Sequence, residues 1–506
     1  MKPLHHLSAF LLLVTPWLNP FAPGPSPSVA PWLYSTACLA AVFLLSTRYR
    51  PTSDLAPTFG APWLAAGLIS CLMAIAQYVD LTVYFAPWIN ATRPGEAFAN
   101  LRQRNQFATL TNIALAALLW SAIQAKPHAA PKPERTWLLL AAASLLAVGN
   151  AISSSRIGLF QLLLLCGLCA LWGGWRRAAV RRLLLCAVLV YLVAMFAMPW
   201  AAGLDLATHG AFARLGKDEV CSSRLTLWSN VLHLIFQKPW LGWGWGELDY
   251  AHFITLYNEL RFCDILDNAH NLPLHLAVEL GVPFAALVCG GFSWWVLRQK
   301  PWAERDGARQ MAWAVMAVIL LHSMVEYPLW YGPFQMAFGM CVLLLWRQNP
   351  LKEIQNSLEK VSNRPAVLIL RARAATLIIA SALLVFVAYA AWDYHRISQI
   401  YLAPEARDAG YQGDTLAKIR NSWLFADQVR FAELMVTPLT AANAAWTFNT
   451  AEALLHYSPE PRVIEKLIES AVMLGRDDEA LAYLARYRAA FPKEHALWAK
   501  ANAKPN

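Results

Sequence analysis

Residues 181–201 read RRLLLCAVLVYLVAMFAMPWA, two arginines followed by nineteen residues without a charge. A helix rises about 1.5 Å per residue, so this run spans close to the ~30 Å thickness of a bilayer's hydrocarbon core. The 506-residue chain is 58% hydrophobic and 15% charged, against roughly one quarter charged in a soluble domain, and its mean hydropathy is +0.37. Runs of the same kind lie near 7–23, 32–47, 61–79, 105–124, 136–153, 157–175, 272–297, 310–328, 331–346 and 374–392. The expected fold is therefore an all-α polytopic membrane protein with about eleven transmembrane helices. Met1-Lys2 ahead of an apolar run could open a signal peptide, but Pro16 and Pro20 interrupt it and favour a retained anchor.

The basic residues order these spans. Arg48 and Arg50; Lys126, Lys132 and Arg135; Arg176, Arg177, Arg181 and Arg182; Arg298, Lys300, Arg305 and Arg309; and Arg347, Lys352, Lys360, Arg364, Arg371 and Arg373 fall in alternate loops. Lys and Arg are retained on the cytoplasmic side, so the net charge of +10 reads as topology and not as a nucleic-acid footprint. The outer face then receives residues 80–104, the turn 153–156, the loop 202–271, the corner 326–330 and everything after 393. The expected organisation is a transmembrane catalytic domain 1–347 with its large periplasmic loop 202–271, a cytoplasmic linker 348–373, a last span 374–392 and a small periplasmic α-helical domain 393–506. Within that last part, LGRDDEALAYLARYRAAFP (474–492) resembles one tetratricopeptide-type helix pair.

Chemistry is sparse. The sequence holds no Walker loop, no dinucleotide-binding glycine pattern, no HExxH, no GxSxG and no Asp-x-Asp, which leaves no evident ligands for a metal-held diphosphate. Arginine is what the outer face offers: Arg156 in NAISSSRIG, Arg224 in CSSRLTLWSNVLHLIFQKPWLGWGWGELDY, and Arg93, Arg102 and Arg104 in TRPGEAFANLRQRNQFA. A lone interfacial arginine is ordinarily a headgroup contact, but a guanidinium also grips phosphate through two parallel hydrogen bonds without losing its charge. DNAHNLPLHLAVELG (267–281) sets His270 at the mouth of an apolar helix and His275 a turn deeper. His322 and Glu326, in HSMVEYPLWY, belong to the next outward helix. Seven of the nine cysteines lie in or against apolar runs, Cys166 and Cys169 among them as packed thiols. Cys221 and Cys263 share the outer loop, where a disulfide and two free thiols are both open.

NLRQRNQFATL, SSSR before a span, the Arg- and Trp/Gly-rich loop, AHNLPLHLAVELG and HSMVEYPLWY together resemble, in this order, the bacterial protein O-oligosaccharyltransferases of the PglL/PilO type, in the O-antigen ligase and polymerase superfamily. RNQFA and HSxxEYPLWY favour the protein-glycosylating branch. The resemblance implies transfer of a preassembled oligosaccharide from an undecaprenyl diphosphate carrier to a Ser or Thr hydroxyl of a periplasmic protein such as pilin, at the inner (cytoplasmic) membrane. It places the family's essential histidine on His270, as general base, and its two arginines on Arg156 and Arg224, against the departing diphosphate. Asn271, Arg102, Gln103, Asn105, His322 and Glu326 form a secondary substrate-binding set. No cofactor or metal is implied, and the partners are the lipid-linked glycan, the acceptor protein and membrane lipid. Two other readings stay open: an O-antigen ligase or polymerase whose acceptor is a sugar, and a non-enzymatic transporter, although no repeated halves are visible.

Overall fold

The computed structural model describes residues 2–47, 56–124, 133–205, 220–347 and 365–502. Arg48, Arg50, Lys126, Lys132, Lys352, Lys360 and Arg364, with most of the expected linker, lie outside them. Among the described residues there is no strand. The helices are α1 (Lys2–Leu18), α2 (Val29–Thr47), α3 (Ala56–Tyr78), α4 (Arg104–Ile123), α5 (Pro133–Ile152), α6 (Arg156–Leu171) and α7 (Ala178–Ala201). They continue with α8 (Arg224–Gln237), α9 (Leu248–Ile254), α10 (Leu272–Leu280), α11 (Val282–Gln299), α12 (Gly307–Ser323), α13 (Gly332–Arg347) and α14 (Pro365–Ser398). The tail adds α15 (Thr415–Ile419), α16 (Ala426–Val436), α17 (Ala444–Leu454), α18 (Pro461–Met473), α19 (Asp477–Ala490) and α20 (Pro492–Asn502).

Among the described residues, five helical segments are long and apolar enough to cross a membrane: Thr58–Tyr78, Arg104–Ile123, Pro133–Ile152, Ala178–Ala201 and Arg373–Tyr401. Shorter apolar helices cover His6–Leu18, Val29–Leu45, Arg156–Leu171 and Gly332–Trp346. The chain is an all-α, multi-pass membrane protein.

Two compact units divide it. The first takes residues 1–22, 26–217 and 296–389. Its central helix is α4, packed by α3, α5, α6 and α12. Almost the whole of α4 is buried, which is why NIALAALLW carries small and aliphatic residues on every face.

The second unit takes residues 23–25, 218–295 and 390–506. One of its cores gathers Leu227, Val231 and Leu234 of α8, Leu248 and Ala251 of α9, and Leu276 and Val278 of α10. The other joins Phe253 of α9 to Phe448, Ile464, Leu467 and Tyr487 of the tail. Two polar contacts and a ring stack seat the tail on α9 and its N-cap: Arg486 Nε donates to the Ile254 carbonyl (2.9 Å), His456 Nδ1 lies 2.6 Å from Glu247 Oε2, and the His456 ring stacks on Tyr250. The packing thus groups the tail with residues 218–295, across the boundary that composition suggests at 393.

The apolar run 272–297, expected as one span, is two helices broken at Gly281. Pro283 has no N–H for the Glu279 carbonyl, and the loop after α8 completes the bonds a continuous helix would make. Trp243 N donates to Val278 O and Gly244 N to Glu279 O (both 2.9 Å), while Val282 N donates to Pro239 O (2.8 Å). The backbones approach so closely that a Cβ on Gly281 would run into the Trp240 carbonyl, and one on Gly242 into that of Glu279. Both glycines also have positive φ, 88° and 70°.

Candidate active site

One local device recurs at three of the motifs. Arg102 (φ 62°), Ser154 (φ 52°) and His270 (φ 49°) are non-glycine residues in the left-handed region. Each is followed by a helix N-cap in extended conformation: Gln103 before α4, Ser155 before α6, Asn271 before α10. Such conformations cost about 1–3 kcal/mol and persist only where the surroundings enforce them. Here they aim a polar residue at the start of an apolar helix.

In the second unit, the His270 turn is fixed from several sides. Asn268 Oδ1 accepts from His270 N (2.9 Å), and Asn271 Oδ1 accepts from Leu274 N (3.1 Å), capping α10. Trp228 Nε1 donates to the Ala269 carbonyl (3.1 Å). Trp228 stands one turn after Arg224, the first residue of α8, so the two share a face. The indole therefore ties the Arg224 helix to the residue before His270. His270 and Arg224 are half-buried. His275 is buried, its Nε2 3.4 Å from Glu279 Oε2.

Cys221 and Cys263 are bonded, with Cα atoms 5.4 Å apart across 42 residues of sequence. Closing a loop of that length is worth about 4 kcal/mol in the chain-entropy picture. Inside it, Asn230 accepts from Phe262 N (2.7 Å) and donates to Leu260 O (3.0 Å). His252 faces the Phe262 carbonyl with Nε2 and Tyr257 Oη with Nδ1. Burial and the nearby Arg261 push His252 down to about 3, leaving it neutral. Burial, with Asp267 and Glu247 adding repulsion, lifts Asp249 to about 7.

In the first unit, Arg156 opens α6 and is exposed. Its cap, Ser155, accepts from Gly158 N (3.2 Å) and donates to Asn105 Oδ1 (2.8 Å). Asn105 Nδ2 in turn reaches Glu326 Oε1 (3.4 Å). Three motifs distant in sequence, NLRQRN, SSSR and HSMVEY, are thereby joined. A buried chain continues below: Gln161 Nε2 donates to Thr109 Oγ1 (2.8 Å) and to Val318 O (3.0 Å), and Asn112 Nδ2 donates to Gly158 O (3.1 Å). His322 belongs to this chain and is fully buried. Thr109 gives its single hydroxyl proton to the Asn105 carbonyl, so Nδ1 of His322 is the donor in their 2.9 Å contact. Among the described residues His322 Nε2 has no hydrogen-bond partner. Arg102, exposed, donates to the Pro20 carbonyl (2.6 Å).

The sequence motifs do not single out Thr109, Asn112, Gln161, Ser155 and Trp228. The amides and hydroxyls inside apolar runs were the available signal, and Ser155 sits where an N-cap precedes an apolar helix. Among the described residues no group of three or more His, Cys, Asp or Glu side chains is arranged to hold a metal ion.

Comparison with known proteins agrees with the motif order. Residues 97–120 match the protein glycosylation ligase model, 140–289 the O-antigen ligase model, and 310–505 the model for the C-terminal part of a virulence factor membrane-bound polymerase. Two proteins of Acinetobacter baylyi are similar. A ComP-specific O-oligosaccharyltransferase is 23% identical over 57% of this chain and 50% of its own length. A general O-oligosaccharyltransferase is 23% identical over 56% and 50%. The chain spans about half the length of these curated relatives. Its likeness, carried by residues 97–120 and 140–289 and by these two relatives, is to the O-antigen ligases and protein glycosylation ligases of the PglL/PilO type.

Proposed function

We propose that this protein transfers a preassembled oligosaccharide en bloc from undecaprenyl diphosphate to Ser or Thr hydroxyls of periplasmic proteins such as pilin. His270 takes the proton from the acceptor hydroxyl. The oxygen then bonds to the anomeric carbon of the glycan as the bond to the lipid diphosphate breaks. Arg156 and Arg224 hold the diphosphate through both donor pairs of the guanidinium and stabilise the charge it gains.

The observation that carries this reading is the His270 turn. A half-buried imidazole in a left-handed conformation stands at the start of an apolar helix, and the Trp228–Ala269 bond couples it to the Arg224 helix. In the same proposal eleven spans cross the inner membrane with the basic loops inside, α11 alone supplying the one read at 272–297, and residues 202–271 and 393–506 lie in the periplasm. The test is co-expression with a defined lipid-linked glycan and a candidate pilin, weighing the pilin by mass spectrometry. A pilin that gains one whole glycan per site supports the proposal, and an unmodified pilin beside a glycosylated lipid A core rejects it. That second outcome is the alternative, a sugar-acceptor ligase or polymerase, favoured by the match of residues 140–289 to the O-antigen ligase model. No metal takes part, so transfer should persist in excess chelator. Activity lost there and restored by magnesium would remove the arginine mechanism.

A further inference from the structure

Helix α8 has two apolar sides where an amphipathic helix has one. Leu227, Val231 and Leu234 are fully buried in the core of the second unit. Leu225, Leu232 and Phe236 form a second stripe, 77%, 43% and 80% exposed, and Trp240 and Leu241 extend it at 76% and 86%. Large exposed apolar residues in a continuous row mark a binding face.

The position of this row says what covers it. The turn bearing Trp240 and Leu241 lies backbone against backbone on the α10–α11 break, through Val282 N to Pro239 O and the Trp240 carbonyl against Gly281. Val282, Phe284 and Leu287 of α11 are themselves exposed, on a helix that belongs to the apolar run 272–297. The row thus adjoins the exposed apolar side of α11, which the proposed topology takes as a span. Its edge has the composition of a water–lipid boundary: tryptophan with Lys238, whose ammonium stands 4.0 Å over the Trp243 ring. An amphipathic boundary favours indoles and a cation on a long stem.

We propose that the stripe of α8 and the tryptophan turn after it lie embedded at the headgroup–acyl boundary of the bilayer, making α8 an in-plane membrane helix. Arg224, the first residue of that helix, is then held at headgroup depth, where the phosphate of a membrane-anchored molecule resides. The embedding does not depend on which reaction the protein catalyses.

The test uses the full chain in nanodiscs of phosphatidylethanolamine and phosphatidylglycerol. Photoreactive benzoylphenylalanine is introduced at Phe236 or Leu241, with Leu287 of α11 as the membrane reference and Lys500 of the tail as the aqueous one. After illumination, intact mass should show phospholipid adducts at Phe236, Leu241 and Leu287, at least tenfold above Lys500. Adducts at Leu287 but not at Phe236 and Leu241 overturn the proposal, as do crosslinks at those positions to a second copy of the chain. Failure at Leu287 as well overturns it too, because the surface it extends would then not face lipid.

Discussion

Arg156 and His270 begin alike and are held differently. Each sits beside an N-cap, at a left-handed turn, at the start of an apolar helix. Around Arg156 the support is made of side chains: Ser155, Asn105 and Glu326, with Thr109, Gln161 and His322 buried beneath. Around His270 side chains hold the turn itself, Asn268, Asn271 and Trp228, while close backbone packing holds the far end of its helix: carbonyls and amides exchanged across the α10–α11 break and glycines where chains touch, with a disulfide in the loop before it. In an apolar bundle a buried amide without its partner is costly, so side-chain identity fixes the first turn. The loop region uses close backbone packing, which tolerates side-chain change but not added volume.

The comparison can be broken most forcefully at the histidine. His270→Ala should lower transfer about 10²–10⁴-fold at unchanged membrane abundance, measured as glycosylated acceptor by mass. His275→Ala and His322→Ala should cost less per folded molecule. An active His270→Ala beside a dead His322→Ala would move the base into the first unit.

Next in size is a single methyl group. Gly281→Ala places a Cβ against the Trp240 carbonyl at φ 88°, a cost of about 1–3 kcal/mol or more. Thermal unfolding in detergent should therefore begin several degrees lower. An unchanged melting profile would mean that the break does not depend on close backbone contact.

Asn105→Ala sharpens the other half. It removes the acceptor of Ser155 Oγ and the donor to Glu326, worth about 1–3 kcal/mol. Because Ser155 precedes Arg156, use of the lipid-linked donor should weaken severalfold, read as a higher donor KM. Equal donor use in the variant would separate the network from the arginine.

The last effect depends on pH and concerns Asp249. Burial raises its folded pKa to about 7 from an ordinary value of 3.8, so the folded chain holds a proton that the unfolded chain has released. Stability from this group is full below about pH 4 and falls as pH rises to about 7. Asp249→Asn should raise the melting temperature at pH 8 and leave it unchanged near pH 4. A rise of equal size at both values would assign the gain to something other than charge.

Much of this was legible in the sequence, for identifiable reasons. Charge-free runs such as 183–201 leave a helix as the only way to satisfy the backbone in lipid. Gly281-Val282-Pro283 was the sign of the break, masked by apolar residues on both sides. Tyr250, Phe253 and Arg486 make contacts across more than 200 residues of sequence, and no periodicity announces such pairing. His322 and Glu326 were legible only as polar residues of one outward helix; His322 is fully buried, because the helix that carries it turns that face toward Thr109.

The tail's seat on α9 has a consequence in time. A ribosome that has made the first 389 residues has already delivered the His270 turn, the arginines and both bonded cysteines. It has not yet made the surface against which Tyr250, Phe253 and Ile254 come to rest. Those three side chains must wait for their tail partners until about a hundred further residues have been synthesised. The chain thus completes the core beneath α9 last, and a nascent or truncated copy carries His270, Arg224 and both bonded cysteines while lacking the tail partners of Phe253.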